Sequence, residues 1–527
     1  MSSVKETLNV KDFGVANDLH DKDEVINPNS FTDVLHETIT EVLHKRTQEM
    51  RDDVLDFINY RINNMMSEVL QKIEVPSAKN GNLLHSTAYR DKNKKDELPD
   101  KEFLARNSLF TDLFEVSHIR TVYNLFMVIF ILLFINTVAF DIMDSGTILL
   151  GANTLQICFA KFSTFLYIWT FMQASTLSVY IAFNLWAYQR LRFLPKSSIQ
   201  KYWDYGWLSA FIAYEVLFFY FPIKAIFDEE LISIGCTTLV IEEQLRLMMK
   251  SWAFVRSAAP RFLSYKPHSE SPQPSSPKFS QYLYFLFAPT LVYRDEYPRT
   301  KRIRWTMVIW NFVEVVIAFM FFIFNIEHLV LPVYYAFDVQ LEIKWFFKNI
   351  IKFSISGILT FITGQYLFLH AWMNAWAEML RFADRLFYRD WWNSTTYAQY
   401  YRTWNIVVHD WLYTYIYKDM YEIVVPRNRM LSAAAVFFAS AVVHEYALTF
   451  IFRFFYPVIL ILFGGVGFAF FFVRKYITSN VFMWMSWTLG TGIMVCLYTM
   501  EIYARWNNCS PYPNYYLDLL IPRSWSC

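Results

Sequence analysis

Glycine is scarce in this chain, 13 residues in 527. Folds that cradle dinucleotides or nucleoside triphosphates need glycine-rich phosphate loops, and no such loop is present. Cysteine is scarcer, with five residues, which excludes a disulfide-stapled secreted module. Charge of one sign is missing too. The 48 Lys and Arg nearly balance 47 Asp and Glu, so no basic field attracts nucleic acid. Charged residues make only 18 % of the chain, below the ~25 % of soluble domains. The first hundred residues hold no apolar stretch behind a basic start, so no cleaved secretory signal is expected. The closing Ser-Trp-Ser-Cys matches no retrieval or prenylation signal. No Cys/His metal spacing and no Gly-x-Ser-x-Gly elbow occurs; His444-Glu445 is not a zinc-protease box, because Leu448 stands where a second His is needed.

What is abundant is apolar surface. Hydrophobic residues make 55 % of the chain and aromatics 20 %, which leaves an all-α polytopic membrane protein. Segments of about 20 apolar residues, enough to span the bilayer core, occur near 121–140, 157–187, 206–223, 306–330, 346–376, 430–456, 457–473 and 481–502. Lys and Arg crowd the gaps 188–205 and 256–304, which read as cytoplasmic, whereas gaps 141–156 and 331–343 are acidic and read as lumenal. Two cytoplasmic gaps cannot flank the single span 206–223. A ninth crossing is therefore expected within 231–255, where Glu242, Glu243 and Arg246 weaken the hydropathy. Nine spans put the N-terminus in the cytoplasm and the C-terminus in the lumen. There Cys509 and Cys527 bracket a Pro-rich tail and are expected to form a disulfide, closing a loop for about 3 kcal/mol. Cys158, Cys236 and Cys496 lie in apolar runs and read as reduced packing residues.

Residues 1–29 read as a disordered acidic N-terminus. Over 30–76 an apolar stripe (Leu35, Ile39, Val42, Val54, Ile58, Ile62, Met65, Val69, Ile73) predicts an amphipathic helix that pairs with another copy of the chain. A polar linker, 77–102, leads to the membrane domain, 103–527.

Two constellations have the residue types for chemistry. His444 sits in the middle of an apolar run, and an ionisable group at that depth faces protein or a water-filled cavity. Ser440 lies one turn before it. Either Ala441 and Ala447 leave room for a ligand to approach His444, or His444 is a neutral residue bonded across helices and the alanines serve close helix packing. Residues 381–418 mix Arg381, Arg385, Arg389 and Arg402 with Trp and Tyr, and place Asn405 and His409 on one helix face. Such a segment either binds an anionic ligand or marks the headgroup level of the bilayer. A third stretch, 285–299 (FLFAPTLVYRDEYPR), reads only as an apolar anchor followed by a basic turn.

Phe387-Tyr388-Arg389-Asp390-Trp391-Trp392-Asn393 matches the FYxDWWN signature of sterol-type membrane-bound O-acyltransferases, with an intramembrane His about fifty residues later. The chain resembles the sterol O-acyltransferases (acyl-CoA:cholesterol acyltransferases) over roughly 103–527. The runs FLFAPTLVYRDEYPR, AEMLRFADRLFYRDWWNSTTY, YYRTWNIVVHDWLY, SAVVHEYAL, EIYARW and PRSWSC carry the resemblance. Diacylglycerol acyltransferases share the signature but continue differently, where this chain has Arg402-Thr403-Trp404-Asn405 and His409-Asp410. The resemblance implies an endoplasmic-reticulum enzyme, dimeric or tetrameric, that moves a long-chain acyl group from coenzyme A to the 3β-hydroxyl of a sterol. It needs no cofactor or metal, since acyl-CoA is a substrate. By matched position, His444 is implied as catalytic and Asn405 as its partner. Gln399, Arg402, Asn405, His409, Tyr417, Arg429 and Ser440 are implied to line the acyl-CoA channel, and His118 to lie near the sterol. Gln399 stands where relatives carry Asn.

The chemistry suits these residue types. A His accepts a proton near neutral pH, and an amide donor such as Asn405 stabilises the oxyanion of a thioester under attack. Three other readings remain: transfer to another lipid alcohol such as diacylglycerol, a non-catalytic sterol-binding protein of the same fold, and a transporter. The last predicts inverted repeats and Gly/Pro-broken helices, which the sequence lacks.

Overall fold

The computed structural model describes residues 98–525, apart from the internal segments 149–150, 229–232, 266–272, 336–342, 473–477 and 507–508. The expected N-terminal helix over 30–76 and Cys527 lie outside the described residues. Among the described residues the protein is helical, with isolated bridges Arg106–Asp384 and Arg299–Phe382 and no β-sheet.

Among the described residues, seven helices are long and apolar enough to cross a membrane: α1 (Ser117–Asp144), α2 (Phe162–Arg190), α3 (Ser198–Phe227), α5 (Trp305–Val333), α6 (Phe346–Met379), α8 (Arg429–Phe452) and α10 (Asn480–Trp506). Each coincides with a hydropathy-derived span. The remaining two expected spans correspond to α4 (Ile234–Leu263) and to the short apolar α9 (Leu460–Phe471), so the count of nine holds approximately. The short α7 (Ile406–Leu412) lies between α6 and α8.

The weak hydropathy of α4 has a physical cause: Gln244, Arg246 and Lys250 lie mid-helix, and each has partners inside the protein. Gln244 donates to the carbonyls of Phe218 and Phe219 at 2.8 and 2.9 Å and accepts from Tyr446 Oη at 2.8 Å. Arg246 pairs with Glu243 at 2.6 Å. Lys250, 1 % exposed, donates to the carbonyls of Phe285, Leu286 and Ala288 at 2.5, 2.9 and 2.8 Å. A buried ammonium is tolerated only with such compensation. The same three bonds define what 285–299 does. Its apolar part is a buried wall, with Phe285, Leu286, Tyr293 and Tyr297 packed among Phe254, Phe382 and Phe387, and the charged turn that follows is open to the surface at Glu296 and Arg299.

Small residues set the closest crossing. A Cβ on Gly357 would approach Thr491 Cβ to 2.9 Å, and one on Gly492 would approach Ser354 Cα to 2.7 Å, so α6 and α10 pack backbone against backbone. On α5, Glu314 accepts from Tyr123 and Tyr366, both at 3.0 Å, which anchors the otherwise unburied α1. Cys158, Cys236 and Cys496 are free thiols, as their apolar settings imply, and Cys509 is disulfide-bonded.

Candidate active site

Asn428 caps α8 by accepting from Leu431 N at 3.0 Å, and the helix then carries Ser440 and His444 on one face, a turn apart. The Nδ1 of His444 lies 2.7 Å from the Ser440 carbonyl oxygen. A carbonyl only accepts, so Nδ1 carries the hydrogen, and in the neutral form of the ring the lone pair is on Nε2. The exposed part of the side chain faces a cavity of about 1630 Å³, which Ser440, Asn405, Arg402, His409, Tyr417 and Arg429 also line. Six of the seven residues implied for the acyl-CoA channel thus share one cavity with His444.

The neighbours of His444 have separate tasks. Ala441, 1 % exposed, faces Gly464 of α9, where an added Cβ would come within 2.9 Å of its own Cβ. Ala447 packs into the core formed with α2, α3 and α4. Both alanines therefore serve close helix packing; it is Ser440 that borders the open space. Glu445, whose partner the sequence does not indicate, is buried and accepts from Leu460 N at 3.1 Å. This bond fixes the start of α9 and brings Phe463 to 5.4 Å from the imidazole, ring centre to ring centre.

Asn405 has a double position. Its Oδ1 accepts from Val408 N at 3.1 Å as the cap of α7, and among the described residues the NH₂ group has no acceptor. The backbone beside it is tied to the FYRDWWN segment, because Ile406 N donates to Phe387 O at 2.9 Å. That segment is scaffold. Phe387, Tyr388 and Trp391 are buried, and Tyr388 Oη lies 2.7 Å from His370 Nδ1. Trp391 packs against Phe361, Trp404 and Trp484, and the Trp392 carbonyl accepts from Asn480 and Trp484. Asp390 and Asn393 are exposed, and of the seven only Arg389 lines the cavity.

The arginines expected together part company. Arg385 is 2 % exposed and bound to Glu378 at 2.5 Å, a carboxylate that also takes Arg304 at 2.8 Å. Arg381 donates to Thr300 O on the surface. These two are tied to the protein, and neither lines the cavity. Arg389 and Arg402 line the cavity with Arg429, and among the described residues none of these three guanidinium groups has a hydrogen-bond or ion-pair partner. Gln399 lies outside the lining, its Oε1 accepting from Thr395 N at 3.3 Å. His118 is exposed at the start of α1, also away from the cavity.

Two features escape the sequence. An aromatic column, His409, Tyr413, Tyr417 and Tyr421, stacks with ring planes 9°, 15° and 7° apart, and its first three members line the cavity. The end of the supposed polar linker, from Leu98 on, forms another part of the wall. Asp410 ties that wall to α7. Burial raises its carboxyl pKa, but the adjoining His409 and the Lys101 ammonium outweigh burial and hold it below the ordinary aspartate value.

Comparison with known proteins agrees with this arrangement. The family model described as MBOAT, membrane-bound O-acyltransferase family, matches residues 197–500. Sterol O-acyltransferase 1 of Mus musculus is 40 % identical over 444 residues, 81 % of this chain and 79 % of the relative. Sterol O-acyltransferase 2 of Homo sapiens is 39 % identical over 432 residues, 81 % of this chain and 80 % of the relative. With apolar helices at the expected spans, a cavity around an intrahelical His and kinship of this extent, the chain is an acyltransferase that belongs to the membrane-bound O-acyltransferase family.

Proposed function

We propose that this protein transfers a long-chain acyl group from acyl-CoA to the 3β-hydroxyl of a sterol, with His444 as general base. The observation that carries the reading is the 2.7 Å contact between His444 Nδ1 and the Ser440 carbonyl, on a residue that lines the cavity. With Nδ1–H donated to the Ser440 carbonyl, Nε2 is the nitrogen left to act as base, in a residue that shares its cavity with an amide donor and unpaired cations. The sterol hydroxyl loses its proton to Nε2 as its oxygen attacks the thioester carbonyl. The C–O bond forms, the C–S bond breaks, and the proton passes from Nε2 to the departing thiolate. Base catalysis of this kind contributes about 10²–10⁴-fold. The NH₂ of Asn405 supports the carbonyl oxygen as it gains charge, for about 10²–10³-fold more. No acyl-enzyme intermediate is needed.

Coenzyme A carries phosphates, which suit Arg389, Arg402 and Arg429, whereas the acyl chain and the sterol suit the apolar remainder of the cavity. The sterol acceptor is supported by the curated relatives, which are named sterol O-acyltransferases at about 40 % identity. We infer an endoplasmic-reticulum location and a homo-oligomer, with residues 30–76 assisting assembly. The substrate is tested with labelled oleoyl-CoA and competing cholesterol and diacylglycerol, in membranes from cells without endogenous sterol esterification. Labelled steryl ester is expected; labelled triacylglycerol in its place refutes the sterol acceptor.

A further inference from the structure

Residues 98–106 run along the cavity wall as a strap, and Leu98, Asp100, Lys101, Glu102 and Arg106 line the open space. The strap precedes the residues matched by the family model, yet it is fastened to the segments that carry the site. Leu98 N donates to Glu422 Oε1 at 3.2 Å, and Lys418 Nζ donates to Asp100 Oδ1 at 2.7 Å. Phe103 packs edge-on against Tyr297 at 5.1 Å. The two lining cations of the strap are held in different ways. Arg106 grips Asp384 with two nitrogens, at 2.6 and 3.2 Å, and its backbone is bonded to Ala383 and Arg385, so it is locked. Lys101 has one close partner, Asp410 Oδ2 at 2.6 Å, with Asp384 at 4.0 Å. A lysine ammonium on a flexible stem exchanges a monodentate carboxylate for another anion without breaking a fork. Asp410 adjoins His409, which itself lines the cavity, so this ammonium is parked beside the column His409, Tyr413 and Tyr417.

We infer that Lys101 is a binding residue for the phosphates of acyl-CoA, joining Arg389, Arg402 and Arg429, and that Asp410 holds it in place until phosphate replaces the carboxylate. This inference rests on the acyl-CoA reading above. Lys101 is far from the three arginines in sequence, and it is the ion pair with Asp410 that joins the strap to α7 and brings the ammonium to the cavity.

The test uses the full chain, purified, with two acyl donors: oleoyl-CoA and S-oleoyl-pantetheine, which lacks every phosphate. Lys101→Ala is expected to raise the KM for oleoyl-CoA about tenfold, the factor a charge-assisted hydrogen bond supplies at a part-exposed site. Its kcat and its KM for S-oleoyl-pantetheine stay at the wild-type values, and Lys101→Arg restores most of the loss. If Lys101→Ala does not purify as a monodisperse peak, Lys101→Gln, which keeps the stem beside Phe103, gives the same comparison. An equal rise in KM for both donors shows that Lys101 only supports the wall and overturns the inference. So does an unchanged KM for oleoyl-CoA. A wild-type enzyme that uses S-oleoyl-pantetheine but not oleoyl-CoA overturns the acyl-CoA reading itself, a result distinct from either.

Discussion

Replacing Asn405 separates two tasks that its side chain combines. Oδ1 caps α7 through Val408 N at 3.1 Å, and the NH₂ is free to face the cavity. Asn405→Asp keeps a capping oxygen, since Asp and Asn cap about equally well, but replaces the amide donor with a carboxylate. Asn405→Ala removes both, at a cost of about 1 kcal/mol in stability from the lost cap. If the amide supports the developing oxyanion, both variants lose about 10²–10³-fold in kcat, and the Asp variant is no better than the Ala variant. The two then diverge in stability alone: Asp melts with the wild type, and Ala melts lower. The assay is steryl ester formation from labelled oleoyl-CoA, with thermal unfolding followed by size-exclusion of heated samples. An Asp variant with near wild-type kcat refutes the donor role. One as unstable as the Ala variant refutes the cap.

Other outcomes follow from the same geometry. Glu445→Gln keeps a carbonyl for Leu460 N and is expected to retain its stability, whereas Glu445→Ala strands that amide and loses about 1–3 kcal/mol, read from thermal unfolding. Gly492→Ala puts a methyl group 2.7 Å from Ser354 Cα and is expected to destabilise the α6–α10 crossing by about 1–3 kcal/mol, whereas Gly490→Ala meets nothing within 4 Å and serves as the control. Asp410 is held below the ordinary aspartate pKa, so its contribution to stability is present above the unfolded value of about 3.9 and fades as pH falls through the lower folded value. Asp410→Asn is therefore expected to melt below the wild type at pH ~5 to 8, with the gap closing below pH ~4; a gap independent of pH contradicts the ion-pair account.

Hydropathy made the long spans legible because α1, α2, α3, α5, α6, α8 and α10 are each long and predominantly apolar. Helix α4 was legible only through charge parity between its flanks. Its Gln244, Arg246 and Lys250 find their partners inside the protein, and a hydropathy window sees their polarity but not those partners. Similarly, a dense run of arginines in 381–402 does not reveal which of them face carboxylates. Glu378, which binds Arg385, belongs to the end of α6 and looks like any other polar residue in sequence. The strap is the clearest omission. Its alternating charges read as a solvated linker, and only the fold brings Lys101 to Asp410 and Arg106 to Asp384, roughly 300 residues away in sequence. Depth in an apolar helix singles out His444 in the sequence, because an ionisable group there needs a partner or a cavity, but it does not choose between the two. The hydrogen bond that fixes its tautomer was not legible.

The most direct test of the account is His444→Ala, assayed in membranes lacking endogenous sterol esterification, with size-exclusion confirming that the variant is folded and oleoyl-CoA binding measured alongside. Labelled steryl ester is expected to fall by about 10²-fold or more, the contribution of a general base, while acyl-CoA binding persists. A folded variant that still esterifies sterol at near the wild-type rate contradicts that role, and the proton acceptor must then be sought elsewhere in the cavity.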